Sequence, residues 1–294
     1  MISLRQRLGA PEILVAPGVY DALTARFVEV AGFEAAYLSG AGVSYSLLAQ
    51  PDLGLVNQIE MAQRVGNVTR AVAMAIIADG DNGHGNALNL MRTIELYERS
   101  GAQAVQLEDQ CLPKRCGHLA GKALVSTDEM VGKIRAACRA RSCDDFLIIA
   151  RTDARNVAGV DEAIRRARLY AEAGADVLFV EAPRSRQELA VIAETLPGIP
   201  LMANMVEGGL TPLVPAAELQ AMGYSLVIYP NTLTRRFVAA AREVLTDLKA
   251  RGTSADAPYP LASFAELNQL LGLSEMARLE EEFIPGPQPT NGES

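Results

Sequence analysis

Four times along the chain, a stretch with apolar residues at helical spacing ends in a glycine and a short apolar run begins. Ala31-Gly32-Phe33-Glu34 leads into Ala35-Ala36-Tyr37-Leu38-Ser39, and Ser100-Gly101-Ala102-Gln103 into Ala104-Val105-Gln106-Leu107-Glu108. Ala173-Gly174-Ala175-Asp176 leads into Val177-Leu178-Phe179-Val180-Glu181, and Met222-Gly223-Tyr224 into Ser225-Leu226-Val227-Ile228-Tyr229. Glycine just past a helix is the left-handed cap. A strand apolar on both faces belongs to a parallel sheet covered by helices. The pattern predicts strands over 13–17, 35–39, 73–78, 104–107, 146–150, 177–180, 200–203 and 225–229, with helices between them. Asp21 is placed to cap the first of these helices, where Leu23, Phe27 and Val30 share a face. Ser126-Thr127-Asp128-Glu129 reads as a capping box, followed by Met130, Ile134 and Ala137 on one face. Ile164, Ala167 and Ala171 repeat that spacing after Asp161. Eight βα units predict a (β/α)8 TIM barrel. A doubly wound open sheet is the second choice, weakened because no GxGxxG follows the first strand.

Past about residue 252 the repeat stops. The expected organisation is a barrel over 1–252, a polar, proline-containing connector with one additional C-terminal helix (264–282) within 253–284, and a loose tail over 285–294. That last helix has no strand of its own to cover, so packing against a neighbouring subunit is expected.

Composition narrows the partners. Hydrophobic residues make up 49% and charged residues 21%, which allows a large core and excludes global disorder. A net charge of −8 and a pI near 5.0 argue against a nucleic-acid or anionic-membrane partner. They leave room for a small anionic substrate, because local arginines can outweigh the global sign. No apolar run approaches the roughly 20 residues of a membrane span, and the first residues lack the apolar core of a signal peptide. Cys111, Cys116, Cys138 and Cys143 form no CxxC pair and no zinc spacing, so a reducing cytoplasm is the expected setting.

In such a barrel the chemistry gathers where strands end. Ser39-Gly40-Ala41-Gly42 and Asp52 follow the second strand, and Asp79-Gly80-Asp81 follows the third. Glu108 and Asp109 follow the fourth, and Arg151-Thr152-Asp153 the fifth. Glu181, Asn204, and Asn231 with Arg235 follow the last three. Asp52, Asp79, Asp81 and Glu108, four acids without histidine partners, point to a hard cation such as Mg²⁺, with helix capping as the alternative for any single acid. Arg151 would enter the mouth from a buried strand. It is either neutralised by Glu181 or forks onto a substrate carboxylate.

The run Lys114-Arg115-Cys116-Gly117-His118 places a thiol among cations, which favour thiolate. It reads as a catalytic loop carrying a proton donor, against the plainer alternative of a solvated basic loop.

Together these residues resemble the isocitrate lyase / phosphoenolpyruvate mutase superfamily from about Ala16 to Arg236. The matching motifs are Tyr37-Leu38-Ser39-Gly40, Pro51-Asp52-Leu53-Gly54, Asp79-Gly80-Asp81, Glu108-Asp109-Gln110, the cysteine loop, Ala150-Arg151-Thr152-Asp153 and Asn204-Met205-Val206-Glu207. The loop is similar to that of the carbon–carbon lyase branch, which includes 2-methylisocitrate lyase, 2,3-dimethylmalate lyase and oxaloacetate hydrolase. The resemblance implies cleavage of a 2-hydroxy di- or tricarboxylate into a 2-oxo acid and a second carboxylate. It implies that Asp79 and Asp81 hold Mg²⁺ (or Mn²⁺), with Asp52 and Glu108 assisting through water. It implies that Ser39, Gly40 and Ala41 hold the 2-oxo acid carboxylate, that Arg151 binds near the breaking bond, and that Cys116 protonates the second product. Gly117, His118, Glu181, Asn204 and Arg235 would shape the rest of the pocket. The initial base is open between Tyr37 and a carboxylate near the metal. His84 stands where the family commonly carries an aromatic residue. The resemblance also implies a homotetramer in which the helix after the eighth strand is swapped between subunits. Competing expectations are an oxaloacetate hydrolase or decarboxylase, a phosphonomutase of the carboxyvinyl-carboxyphosphonate phosphorylmutase kind, and a non-catalytic dicarboxylate-binding barrel.

Overall fold

In the computed structural model, which describes residues 3–114 and 121–283, eight parallel strands close into a barrel in sequence order. They are β1 (Leu14–Val19), β2 (Ala35–Leu38), β3 (Ala75–Asp79), β4 (Ala104–Glu108), β5 (Leu147–Thr152), β6 (Val177–Val180), β7 (Leu201–Asn204) and β8 (Leu226–Tyr229). β8 pairs with β1, Val15 opposite Val227, so the sheet has no edge. The expected helix–glycine–strand joints are present, with Gly32, Gly101, Gly174 and Gly223 all at positive φ.

Two apolar cores follow from the period of two along each strand. Outward residues such as Ala36, Ile76, Val105, Ile148 and Leu178 pack beneath the helices. Inward residues fill the barrel: Leu14, Ala35, Ile77, Ala104, Ile149, Phe179, Met202 and Ile228, plugged at the N-terminal end by Leu4 and Leu8. Two residues further along, the same inward rows turn polar at Gln106, Arg151 and Asn204, with Glu108 two beyond Gln106. The barrel is therefore apolar below and charged at its mouth.

The helices bear out some spacings and correct others. Met130, Ile134 and Ala137 are buried. Ser126 caps its helix by accepting from the Glu129 N–H at 3.1 Å. The Glu129 carboxylate lies 3.5 Å from Lys133, four residues along the same helix. Asp21 caps as expected, its Oδ1 accepting from the Thr24 N–H at 2.8 Å. Leu23, Phe27 and Val30 do share a face, but that face is exposed, and the small Ala25 with Val28 meets the barrel instead.

Contacts divide the chain into two compact units, Met1–Val238 and Ala239–Ser294. Within the second, the segment expected to be one helix is two, Phe264–Leu270 and Leu273–Phe283, because Gly272 sits between them at φ +76°. Tyr259 donates to the Asp247 carboxylate at 3.3 Å.

Candidate active site

The strand-end residues meet around a cavity of about 40 Å³ at the barrel mouth, lined by Tyr37, Ser39, Ala41, Asp52, Asp79, Glu108, Lys114, Arg151, Asn204 and Asn231 among others. Ser39 caps the helix Gly40–Leu48, accepting from the Gly42 N–H at 3.2 Å, so the first turn of that helix faces the cavity. A helix N-terminus presents N–H groups suited to an anion. One of them, that of Gly40, donates to Asp79 Oδ2 at 3.1 Å. A side chain at Gly40 would put its Cβ 2.9 Å from that oxygen, so the approach needs glycine.

Asp79 is held from two sides, because its Oδ1 accepts from the Asp81 N–H at 3.1 Å. Asp81, at φ +47°, turns its carboxylate back towards the mouth, where Oδ1 lies 2.7 Å from Lys114 Nζ. Asp52 Oδ1 lies 2.5 Å from the same ammonium. Burial pushes the Asp81 carboxyl up to about 6, with Lys114 opposing and Asp79 adding to the rise. Burial likewise pushes Glu108 well above the usual carboxylate range, with Arg151 opposing. One Glu108 oxygen, Oε1, is buried without a partner. The donor set is all oxygen. Mg²⁺ keeps several waters and needs only one or two direct carboxylates, so these residues fit it. Among the described residues no three acids converge closely enough to hold an ion together without rearrangement.

Arg151 pairs with Glu181, as one of the two expected fates had it, but Glu181 is a minor partner. The Arg151 fork is taken by Asp153, Nε to Oδ2 at 2.9 Å and Nη2 to Oδ1 at 3.1 Å. Only Nη1 faces the mouth, 3.4 Å from Glu108 and 3.4 Å from Glu181. The guanidinium carbon lies 5.3 Å from the Phe179 ring centre, a cation–π contact. Glu181 accepts from Asn204 Nδ2 at 3.1 Å. Tyr37 donates to Gln106 Oε1 at 2.7 Å. Burial first, then Asp79, holds the Tyr37 phenol well above its ordinary range, which suits a neutral donor better than a base. Arg235 is exposed, donates to the Glu207 carbonyl, and does not line the cavity. His84 packs in the glycine loop against the Tyr97 hydroxyl at 3.2 Å. Cys116, Gly117 and His118 lie outside the described residues.

The stems of the cysteine loop are described. The Cys111 N–H donates to the Ala123 carbonyl at 2.8 Å, and the Val125 N–H to the Asp109 carbonyl at 2.9 Å. Inside the loop, each stem sends a lysine into the protein: Lys114 to Asp52 and Asp81, and Lys122 to Asp153 at 2.6 Å. Asp109 is a buried hub. It accepts from Thr152 at 2.7 Å, Tyr170 at 2.8 Å, Arg166 at 3.0 Å and the Asp153 N–H at 2.9 Å. No role was expected for Gln106 or Lys122, nor this function for Asp109, and Lys114, expected only as a cation beside the thiol, is instead buried on the acids. For Gln106 a signal existed: a polar residue in an apolar strand, two positions before Glu108.

A closed βα barrel whose mouth collects acids, a buried arginine and a helix N-terminus has the layout of an enzyme's active site. The sequence model of the phosphoenolpyruvate phosphomutase family matches residues 4–249. The chain is 45% identical over 283 residues to a 2,3-dimethylmalate lyase of Eubacterium barkeri, covering 96% of this chain and 98% of that one. It is 44% identical to a 2-methylisocitrate lyase of Aeropyrum pernix, covering 96% and 92%. A crystal structure of 2,3-dimethylmalate lyase superposes with a TM-score of 0.91 at 39% identity, covering 100% of this chain and 99% of that one. A structure of oxaloacetate acetylhydrolase with 3,3-difluorooxalacetate also reaches 0.91, at 37% identity and 95% coverage of both. A phosphonopyruvate hydrolase in complex with oxalate and Mg²⁺ reaches 0.87 at 31% identity, covering 96% and 98%. The chain belongs to the phosphoenolpyruvate mutase / isocitrate lyase superfamily and is an enzyme of its lyase type.

Proposed function

We propose that the chain is a Mg²⁺-dependent carbon–carbon lyase that cleaves a 2-hydroxy di- or tricarboxylate of the 2,3-dimethylmalate or 2-methylisocitrate type into a 2-oxo acid and a second carboxylate. The observation that carries this reading is the meeting of Asp52, Asp79, Glu108 and Arg151 at one cavity, in a chain so similar along its length to a 2,3-dimethylmalate lyase. Asp79 and Asp81 would hold Mg²⁺, with Asp52 and Glu108 assisting, and the ion would supply Lewis acidity for the negative charge that develops on the 2-oxo acid.

The chain's own groups do the rest. Ser39, Gly40 and Ala41 receive the carboxylate of the 2-oxo acid at the helix N-terminus. Arg151, held by Asp153, presents Nη1 where negative charge develops as the bond breaks. Cys116 delivers a proton to the departing fragment, and Gly117, His118, Glu181 and Asn204 shape the pocket. The neutral Tyr37 phenol favours a carboxylate of the mouth as acceptor of the substrate hydroxyl proton. Arg235 belongs to this set only if it leaves the Glu207 carbonyl.

The test is a panel of 2,3-dimethylmalate, 2-methylisocitrate, isocitrate, oxaloacetate and phosphonopyruvate, with Mg²⁺ and then EDTA, following 2-oxo acid release. One of the first two should be turned over, EDTA should abolish turnover, and Cys116→Ser should lose on the order of 10²-fold or more. Turnover indifferent to EDTA, or an unimpaired Cys116→Ser, overturns the reading. Oxaloacetate hydrolysis is the second reading. The equal TM-score of 0.91 to oxaloacetate acetylhydrolase favours keeping it, and the oxaloacetate arm decides.

We also propose a homotetramer with the helix after β8 exchanged between subunits. An apolar groove of about 460 Å³ outside β1 and β8, lined by Val15, Pro17, Phe27, Phe33, Tyr229 and Leu233, supports this. The helix Thr232–Arg251 exposes Phe237, Val238 and Leu245. A reducing cytoplasm is the proposed setting, supported by the free thiols of Cys111, Cys138 and Cys143. No helix among the described residues is long and apolar enough to cross a membrane.

A further inference from the structure

The acids of the mouth already hold a cation, and it is the chain's own. Lys114 is 3% exposed, with Nζ 2.5 Å from Asp52 Oδ1 and 2.7 Å from Asp81 Oδ1. The placement is built rather than incidental. The lysine stem crosses Gly54, whose φ of +71° and missing side chain leave room: a Cβ there would stand 3.3 Å from Lys114 Cγ. A void of about 10 Å³, lined by Gly40, Asp52, Asp79 and Asp81 among others, lies at the same acids.

A dication bound to Asp81 would stand about 2.1 Å from a carboxylate oxygen. The Lys114 nitrogen sits 2.7 Å from an oxygen of that carboxylate. Two like charges would then lie a few ångströms apart in a site shielded from water, where repulsion is strong. Both cannot stay.

We propose that Lys114 is the resident counter-cation of the acid cage and that a divalent ion must displace it. Lys114 opens the Lys114-Arg115-Cys116-Gly117-His118 run, two residues before the thiol. The ammonium that yields to the metal is therefore the anchor of the loop's first stem. The second anchor is Lys122, whose Nζ lies 2.6 Å from Asp153 Oδ1. The inference rests on the proposed reading of the cage as a Mg²⁺ site.

The test titrates Mg²⁺ calorimetrically into the chelator-stripped full chain without substrate, comparing wild type with Lys114→Met, which keeps the stem and removes the charge. Lys114→Met should bind Mg²⁺ about tenfold more tightly or better, and Lys114→Arg should not. A second readout uses wild type alone: a short acetic anhydride pulse, read by mass spectrometry, should modify Lys114 slowly without metal and several times faster at saturating Mg²⁺. Equal or weaker binding by Lys114→Met overturns displacement and makes Lys114 an organiser of the acids instead. Binding by neither protein overturns the Mg²⁺ reading of the cage, and the inference with it. Should Lys114→Met not fold, unchanged acetylation of wild-type Lys114 on adding Mg²⁺ overturns the inference.

Discussion

Asp109 carries the sharpest stability prediction. It is fully buried and accepts four hydrogen bonds, from Thr152, Tyr170, Arg166 and the Asp153 N–H. In Asp109→Ala the two hydroxyls can rotate, but the Asp153 N–H is fixed by the backbone and loses its acceptor inside the protein. A buried donor left unpaired costs about 1–3 kcal/mol. Arg166 loses its fully buried partner, a change that costs roughly 3–5 kcal/mol when nothing replaces the partner. Here Glu162 and the Val125 carbonyl, each at 3.0 Å, remain, so the lower end applies. The sum is about 4 kcal/mol, a large share of the roughly 5–15 kcal/mol of a typical domain. Asp109→Asn keeps the shape and one acceptor, and should lose about half as much. Urea unfolding followed by circular dichroism reads both. Activity under native conditions should fall as well, because Asp153 would no longer be held to fork Arg151. A midpoint shift equivalent to less than about 1 kcal/mol in Asp109→Ala would show that the four donors find other acceptors, and the hub argument would be wrong.

Further outcomes follow from the same geometry. Gly40→Ala forces Asp79 off its backbone clamp, since the new Cβ would lie 2.9 Å from Oδ2; calorimetry should show weaker Mg²⁺ binding with a stability change within about 1 kcal/mol. Burial lowers the His84 pKa below its usual 6.5, against Asp79. The unfolded chain therefore takes up a proton as pH falls through about 6.5 while the folded chain does not, and stability drops on the acid side. His84→Gln should shrink the difference in urea midpoint between about pH 7.5 and 5.5; an unchanged difference removes His84 as its source. Phe27→Glu places a charge in the groove outside β1 and should shift light-scattering mass from tetramer towards smaller species. An unaltered mass rules that groove out of the interface.

The barrel was legible because each strand is an apolar run after a glycine, and that signal is local. What the apolar pattern misjudged was where several strands end. β3, β4, β5 and β7 run on through Asp79, Glu108, Thr152 and Asn204, since ladder hydrogen bonds continue into the mouth after hydrophobicity stops. The acids were legible for the same reason, standing just past each run. Lys114 and Lys122 were not legible as buried anchors: their partners lie 62 and 31 residues away (114 − 52 and 153 − 122), a proximity that only the closed barrel creates. Nor did the sequence show that Asp153, two residues from Arg151 on its own strand end, would take the guanidinium fork.

The vertical sorting of the barrel interior bears on how such enzymes diverge. Leu14, Ile77, Ile149 and Phe179 hold the frame, while Gln106, Glu108, Arg151 and Asn204 occupy a separate storey above them. An ancestral chain could therefore exchange its upper storey and acquire a new reaction without reopening the foundations. Relatives named for lyase and hydrolase chemistry that superpose on this chain at 0.87 to 0.91 are what such inheritance would leave behind.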